Sequence, residues 1–152
     1  YLGSIIWQKI STTKTSGGAS VMGSYGRPRN GYLSLDYEYI AIFKKNGKSA
    51  SPSKDIIEKS KIDPKEWRKL FSGHWKFKGE RQNGRMAAFP EELPSRLIRM
   101  FTFPGDVVLD PFGGSGTTGV AALNLDRNAI LIELNKDFVD YANKRLNVVR
   151  GA

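Results

Sequence analysis

The stretch of sequence that decides the fold is Val107-Val-Leu-Asp-Pro-Phe-Gly-Gly-Ser-Gly-Thr-Thr-Gly119. Its first four residues have the apolar, β-branched character of a short buried strand, and the glycines that follow are typical of a tight turn. Residues 117–125 continue with an apolar segment that predicts a helix. The stretch therefore predicts a strand, a glycine-rich turn and a helix, with Asp110 at the carboxyl end of the strand.

Regular elements lie on both sides of this stretch. From the spacing of apolar residues we expect helices at 91–100, 117–125 and 136–146 and strands at 106–110 and 128–133. Short apolar strands that alternate with helices indicate a parallel sheet covered on both faces, with a right-handed crossover between its strands. The pattern predicts the α/β fold class.

The first part of the chain carries further elements. β-Branched and aromatic residues are frequent at 4–10 and 35–44, which predicts two strands of one sheet, and short helices are expected at 55–60 and 64–71. Between the strands, residues 11–31 hold five glycines and seven Ser or Thr. A loop this long is either a functional arm that meets nucleic acid or a solvated linker.

Three glycines of the decisive stretch have the spacing of a cofactor-binding turn. Gly114, Gly116 and Gly119 fit the pattern G-x-G-x-x-G, and Glu133 closes the next predicted strand, where a carboxylate could accept hydrogen bonds from ribose hydroxyls. A nucleoside-containing cofactor is therefore expected. A Walker-type nucleotide loop is excluded because no Gly-Lys-Ser/Thr follows the glycines.

The charges around this turn discriminate between cofactors. No Lys or Arg occurs from residue 100 to residue 126, whereas Asp106, Asp110 and Asp126 are present. A pyrophosphate needs donors and positive potential at such a turn, and a carboxylate at the strand end would repel it. The same carboxylate attracts the ammonium and sulfonium groups of S-adenosylmethionine (SAM), so SAM is favoured over the dinucleotide of an oxidoreductase.

The same stretch closely resembles a known family. Asp-Pro-Phe-Gly-Gly-Ser-Gly-Thr-Thr at 110–118, Phe-Pro-Glu-Glu-Leu-Pro-Ser-Arg-Leu-Ile at 89–98 and Ile-Glu-Leu at 132–134 resemble the SAM-binding half of the amino-group DNA methyltransferases of restriction-modification type. The order looks like that of the permuted β group, in which the catalytic region precedes the cofactor region. The segments 7–9 and 37–45 look like the strands that follow its catalytic motif, so the resemblance covers nearly the whole chain.

The resemblance implies a fold and a set of cofactor residues. The fold is a Rossmann-like SAM-dependent methyltransferase fold with a parallel-rich sheet, incomplete at the amino-terminal side, plus a small basic insert. It also implies that Glu133 holds the ribose of SAM and that Phe89 and Pro90 border the cofactor. The residues implied for the methionine portion are Asp110, Phe112, Gly114, Ser115, Gly116 and Thr117.

The implied activity is methylation of double-stranded DNA at adenine N6 or cytosine N4. Members of the family act through an Asp/Asn/Ser-Pro-Pro-aromatic tetrapeptide, and no Pro-Pro occurs in this chain. Neither Asp63-Pro64-Lys65 nor Asp110-Pro111-Phe112 substitutes for it. We therefore expect the catalytic tetrapeptide upstream of Tyr1, in a missing amino-terminal half or a partner chain, and expect the chain alone to be inactive or nearly so.

Positive charge is concentrated in the first part of the chain. Residues 1–86 hold 17 Lys and Arg against 7 Asp and Glu, whereas residues 87–152 hold 7 against 8. Such asymmetry indicates a polyanionic partner, because neutralising phosphates releases counterions. The cations that we expect to contact DNA are Lys14, Arg27, Arg29, Lys76, Lys78, Arg81 and Arg85. An alternative is a non-catalytic nucleic-acid-binding module with a vestigial cofactor turn.

The chain is expected to have three segments. Residues 1–45 form sheet strands and the glycine-rich loop, residues 46–86 a basic insert like a target-recognition segment, and residues 87–152 the SAM-binding βαβ region. Aromatic residues alternate with cations in the insert, which suits either base stacking or a small core. We expect Trp67 and Phe71 in that core, and His74 as an ordinary polar residue.

Composition excludes several classes of protein. The chain has no Cys and one His, which excludes a disulfide scaffold or thiolate metal site and argues against a histidine zinc site. No apolar run approaches the roughly 18 residues of a membrane span, and the given sequence does not open with a basic stretch followed by an apolar run. We expect a soluble cytoplasmic protein with no metal, and the sequence leaves its oligomeric state open.

Overall fold

The computed structural model describes residues 1–9, 36–49, 51–80 and 88–151. In chain order the elements are β1 (Gly3–Lys9), β2 (Tyr37–Ile42), α1 (Lys54–Lys59), α2 (Pro64–Leu70), β3 (His74–Phe77), α3 (Glu92–Phe101), β4 (Val107–Asp110), α4 (Thr117–Asn124), β5 (Asn128–Leu131) and α5 (Lys136–Arg150). The chain divides into two compact units: Tyr1–Gly47 with Phe71–Ala88, and Lys48–Leu70 with Phe89–Ala152.

The first unit contains a three-stranded sheet in the order β2-β1-β3. The central strand β1 runs antiparallel to β2, with Ile5 opposite Ile40, and parallel to β3, with Trp7 opposite Trp75. The prediction that β1 and β2 belong to one sheet is confirmed. The third strand, β3, was not predicted, because four residues are too few for an alternating pattern to stand out among short helices and turns.

Aromatic side chains form the core of the first unit. Trp7 and Trp75 are each 1% exposed, and the Phe77 ring stacks on Trp7 with centroids 4.9 Å apart. The indole N–H of Trp7 donates to the backbone oxygen of Phe77 at 3.2 Å. Since successive residues of β3 point to opposite faces, His74 and Lys76 are exposed while Trp75 and Phe77 are buried.

The expectation that Trp67 and Phe71 form a core is wrong. Their side chains are 50% and 39% exposed, and Leu70 is the buried residue of α2. The alternation of aromatic and basic residues in this part of the chain reflects a strand, so the buried aromatics are Trp75 and Phe77. The exposed position of His74 agrees with its interpretation as an ordinary polar residue.

The second unit contains β4 and β5, which pair in parallel with Val108 opposite Ala129. Helices cover one face of this pair: the buried residues Ile98, Ala121 and Ala122 pack against Val108 and Ala129. In the described part of the chain, the opposite face is open, with the side chains of Val107, Leu109 and Ile130 between 52% and 60% exposed. The expectation of a sheet covered on both faces therefore fails for this face.

Polar contacts fix the ends of the elements in the second unit. Asn135 caps α5, where its side-chain oxygen accepts from the N–H of Asp137 at 2.9 Å. Arg127 is 9% exposed and donates to the backbone oxygen of Thr102 at 2.7 Å, which joins the start of β5 to the end of α3. Burial lowers the pKa of Arg127.

The predicted insert at 46–86 contributes elements to both units. Helices α1 and α2 belong to the second unit, whereas β3 belongs to the first. Within the second unit, Arg99 of α3 makes a bidentate ion pair with Glu66 of α2, in which Nη1 donates to Oε1 and Nη2 donates to Oε2 at 2.8 Å. The proposed role of this segment in target recognition stays a prediction. In the described ranges, no helix is long and apolar enough to cross a membrane.

Candidate cofactor site

A glycine-rich turn connects β4 to α4 and lies beside the end of β5. The parallel pairing continues one step past the strands, because the backbone N–H of Ile132 donates to the backbone oxygen of Asp110 at 2.9 Å. The N–H of Gly113 then donates to the oxygen of Ile132 at 2.8 Å. These two bonds bring the turn next to the residues that follow β5, which include Glu133.

Asp110 links the end of β4 to the first turn of α4. Its Oδ1 accepts from the backbone N–H of Phe112 at 3.0 Å, and its Oδ2 accepts from the hydroxyl of Thr118 at 2.6 Å. Both oxygens are therefore oriented by the turn itself. The sequence placed Asp110 correctly at the strand end, but Thr118 was not among the predicted site residues, although it belongs to the same conspicuous string.

Glu133 is held from two sides by backbone donors. Its Oε2 accepts from the N–H of Gly114 at 2.8 Å, and its Oε1 accepts from the N–H of Asn135 at 2.8 Å. The hydrogen bond from the Asn135 N–H lowers the pKa of Glu133 most, and the one from Gly114 lowers it further, so that the pKa lies below its usual value. The carboxylate is therefore ionised at neutral pH, and each oxygen keeps a free lone pair that can accept from a ligand hydroxyl.

The glycines of the turn have two different roles. A Cβ at Gly113 would lie 2.9 Å from the Leu131 Cβ, and one at Gly119 would lie 2.8 Å from the Leu131 Cδ1. A Cβ at Gly116 would lie 2.9 Å from the Ala142 Cβ of α5. Close packing of the turn against β5 and α5 therefore requires Gly113 and Gly116, whereas Gly119, in the first turn of α4, meets only the ends of flexible leucine side chains. Gly114 has a positive φ of 49° and its nearest contact for a Cβ is 3.8 Å away, which leaves it open toward a ligand.

A basic side chain reaches this turn from α5. The Nη1 of Arg145 donates to the backbone oxygen of Ser115 at 2.7 Å, to the hydroxyl of Ser115 at 3.3 Å and to the hydroxyl of Thr117 at 3.1 Å. The expectation of a turn without basic side chains is therefore wrong. Residues 100–126 contain no cation, but tertiary packing brings one from 30 positions away.

Comparison with known proteins decides the family. The family model described as DNA methylase, for N6 and N4 methyltransferases, matches residues 1–144. The chain belongs to the N6/N4 DNA methylase family. The Type II methyltransferase M.MjaI of Methanocaldococcus jannaschii is 39% identical over 150 residues, and M.MthZI of Methanothermobacter thermautotrophicus is 36% identical over 154 residues. These matches cover 95% and 94% of this chain but 48% and 42% of the relatives.

A solved structure from Thermus thermophilus is also similar to this chain. TTHA0409, complexed with S-adenosyl-L-methionine, has a TM-score of 0.75 and 32% identity, with 97% of this chain and 53% of that chain covered. The similarity confirms the predicted fold class, an α/β methyltransferase fold. The chain spans about half the length of these relatives.

The other predicted cofactor residues, Phe112, Phe89 and Pro90, lie at different places in the second unit. Phe112 lies two residues after the end of β4 and is 86% exposed. Phe89 and Pro90 are half-buried, and the next residue, Glu91, accepts a hydrogen bond at 2.8 Å from Asn124, the last residue of α4. This bond lies at the end of α4 away from the turn, so the role of Phe89 and Pro90 stays a prediction.

A cavity of about 510 Å³ lies between the turn, β5 and α5. Gly114 and Glu133 line it, together with Leu131, Ala142 and Asn143. Its size lies within the range of about 300 to 1,000 Å³ that is common for small-ligand sites. Within the described ranges, no group of His, Asp and Glu side chains could hold a metal ion.

The predicted DNA contacts fall only in part on the described residues. Lys76 is exposed on the outward side of β3, and Lys78 is exposed just after this strand. The other predicted contacts lie outside the described residues: Lys14, Arg27, Arg29, Arg81 and Arg85.

Proposed function

We propose that the whole protein transfers the methyl group of SAM to an exocyclic base amine, adenine N6 or cytosine N4, at specific sites in double-stranded DNA. The chain provides the SAM-binding and DNA-recognition part. The observation that carries this proposal is the arrangement of two oriented carboxylates, Asp110 and Glu133, at the ends of neighbouring parallel strands. The similarity to TTHA0409, a relative complexed with SAM, supports the same cofactor.

The donors and acceptors of the turn match the two ends of SAM. Glu133 is ionised and keeps acceptor capacity, which suits the two hydroxyls of a ribose. Asp110 supplies a negative charge for the ammonium or sulfonium group. In addition, the N-cap residue of α4 is Gly116, which makes no side-chain cap, so the first N–H groups of the helix can receive the carboxylate of the methionine portion.

The contribution of this chain to catalysis is to bind and orient. When bound, SAM would supply a methyl group on a positively charged sulfur, and the amine forms the new N–C bond as the S–C bond breaks and the amine proton leaves. Holding the reacting groups in line at short distance provides much of the rate in such transfers. The residues that accept the amine hydrogens belong to a Pro-Pro tetrapeptide that this sequence does not contain, so we propose that another part of the protein or a partner chain supplies it.

The proposed reaction also requires that the target amine be accessible to the methyl group. A base inside the duplex cannot reach the methyl group, so it must be flipped out at a cost of a few kcal/mol of stacking. Contacts to the phosphates offset this cost and set the position of the duplex. We propose Lys76 and Lys78 for such contacts, together with the predicted cations outside the described residues.

Calorimetric titration of SAM and of its demethylated product tests the proposal. We expect binding by the wild type, weaker binding by Asp110→Asn and Glu133→Gln, and unchanged binding by Asp140→Asn, a control on the exposed face of α5. A folded wild type that binds neither compound contradicts the proposal. Binding of NADH in place of SAM would favour the oxidoreductase interpretation.

The DNA part needs a separate measurement. Duplex binding should be strengthened by SAM or by its demethylated product, because cofactor and flipped base occupy adjoining sites. If duplex affinity depends steeply on salt but is indifferent to SAM, the non-catalytic nucleic-acid-binding module is the better explanation.

A further inference from the structure

Arg145 stands out among the residues near the turn because no sequence motif points to it. Its guanidinium makes three hydrogen bonds through Nη1, to the backbone oxygen and hydroxyl of Ser115 and to the hydroxyl of Thr117. These acceptors lie on either side of Gly116, the N-cap residue of α4. The side chain is half-buried, and its guanidinium carbon lies 5.9 Å from the centre of the Tyr141 ring.

We propose that Arg145 is a positioning residue that sets the shape of the turn for the methionine end of SAM. This inference rests on the proposed function, since it names how the same site is held. Ser115 and Thr117 are joined only through a left-handed glycine with a φ of 80°. Such a backbone has more accessible conformations than any other residue type allows, so the turn needs external contacts to keep one shape.

Helix α5 supplies these contacts with two residues on one side. Ala142 fills the space beside Gly116, where a Cβ would come within 2.9 Å of the Ala142 Cβ. Three positions along the chain, Arg145 binds the residues before and after Gly116. Residues three apart on a helix share one face. The turn therefore packs against one face of α5 and is hydrogen-bonded to it.

Arg145 also changes the electrostatics of the site. Asp110 and Glu133 give the turn its negative charges, and Arg145 adds a positive charge beside the start of α4, where the helix dipole is also positive. The methionine portion of SAM is itself zwitterionic. The site therefore offers both signs of charge to one end of the ligand, which a site of carboxylates alone would not do.

The test compares a ligand that has the methionine end with one that lacks it. Calorimetry with SAM and with 5′-methylthioadenosine, which has the nucleoside and sulfur but no amino-acid group, is performed on the wild type and on Arg145→Met. We expect SAM to bind at least about tenfold more weakly to Arg145→Met, as for the loss of charged hydrogen bonds, and methylthioadenosine to bind within about twofold of the wild type.

Two further variants keep the test decisive. Arg145→Lys keeps the charge and a donor, so it should recover most of the SAM affinity even if Arg145→Met is unstable. Lys144→Met removes an exposed cation from the neighbouring position of α5 and should leave both affinities unchanged.

Other results overturn the inference. Equal losses for both ligands in Arg145→Met, together with a lowered melting temperature and no recovery in Arg145→Lys, would mean that Arg145 has only a structural role. Unchanged SAM affinity in a folded Arg145→Met would remove any role at the site. A folded wild type that binds neither ligand would instead overturn the proposed function, and this inference with it.

Discussion

Gly114 and Glu133, 19 positions apart, are joined by a hydrogen bond of 2.8 Å from the Gly114 N–H to the Glu133 Oε2. The bond ties the turn after β4 to the residues after β5, and it holds a carboxylate that lines the cavity. Because Asn135 binds the other oxygen, the carboxylate cannot rotate freely. The orientation of the proposed ribose acceptor is therefore set before any ligand arrives.

The charge of Glu133 should matter for SAM binding. Glu133→Gln removes the charge and turns one acceptor into a donor that would face the backbone N–H groups, so we expect SAM affinity to fall about tenfold or more. Calorimetric titration measures this fall, and the far-ultraviolet circular dichroism of the variant checks its fold. Equal SAM affinity for the variant and the wild type would contradict the role of Glu133.

The pH dependence of stability should reflect the same carboxylate. The pKa of Glu133 in the folded protein is lower than its ordinary value of 4.5, so the ionised form stabilises the fold. This stabilisation is fully present above the ordinary pKa and is lost as the pH falls through the lowered pKa. Melting temperatures of the wild type and Glu133→Gln should therefore differ by a constant amount from pH 8 to pH 6 and converge below about pH 4.5. A difference that disappears above pH 6 would contradict the assigned direction of the shift.

Two glycines with similar backbones provide a matched test of packing at the turn. Gly116 and Gly105 have positive φ values of 80° and 87°, but only Gly116 faces a close neighbour. Gly105→Ala should cost about 1 to 2 kcal/mol of unfolding free energy from backbone strain alone. Gly116→Ala adds a clash with Ala142, so we expect a further cost of about 1 to 3 kcal/mol in urea unfolding. Equal costs for the two variants would argue against the close approach of α5.

The two tryptophans of the basic segment should behave differently on truncation. Trp75 is 1% exposed and Trp67 is 50% exposed. Trp75→Ala should destabilise the protein by about 3 to 5 kcal/mol, whereas Trp67→Ala should cost about 1 kcal/mol or less. Denaturant unfolding followed by the remaining tryptophan fluorescence measures both. Similar costs would contradict the assignment of the core of the first unit.

The contribution of lysines to DNA binding can be read from salt dependence. If Lys76 and Lys78 contact phosphates, each change to Ala should weaken duplex binding and reduce the slope of log K against log salt by about 0.9. Lys144→Ala, in the other unit, is the control and should leave the slope unchanged. Fluorescence anisotropy with one labelled duplex at several salt concentrations provides the slopes. A lower affinity with an unchanged slope would mean that the two lysines do not contact phosphates.

The secondary structure around the turn could be predicted from the sequence, and the small core of the first unit could not. The decisive stretch and the periodic segments after it predicted β4, α4, β5 and α5 close to their observed limits. By contrast, β3 is four residues long and is stabilised by pairing with β1, which lies almost seventy positions earlier. Local patterns contain no information about such a partner. For this reason Trp67 and Phe71 were expected in a core, whereas the buried aromatic residues are Trp75 and Phe77.

The sequence by itself determined the family, the strand and glycine-rich turn, and the placement of Asp110 and Glu133 at the ends of neighbouring strands. These features depend on short-range patterns, since strand ends and tight turns are formed by consecutive residues. Only the tertiary structure decided that Arg145 lies at the turn and that Gly113 and Gly116 are needed for packing against Leu131 and Ala142. Charge and close packing act through space, so the residues that complete the site come from segments that no local spacing connects.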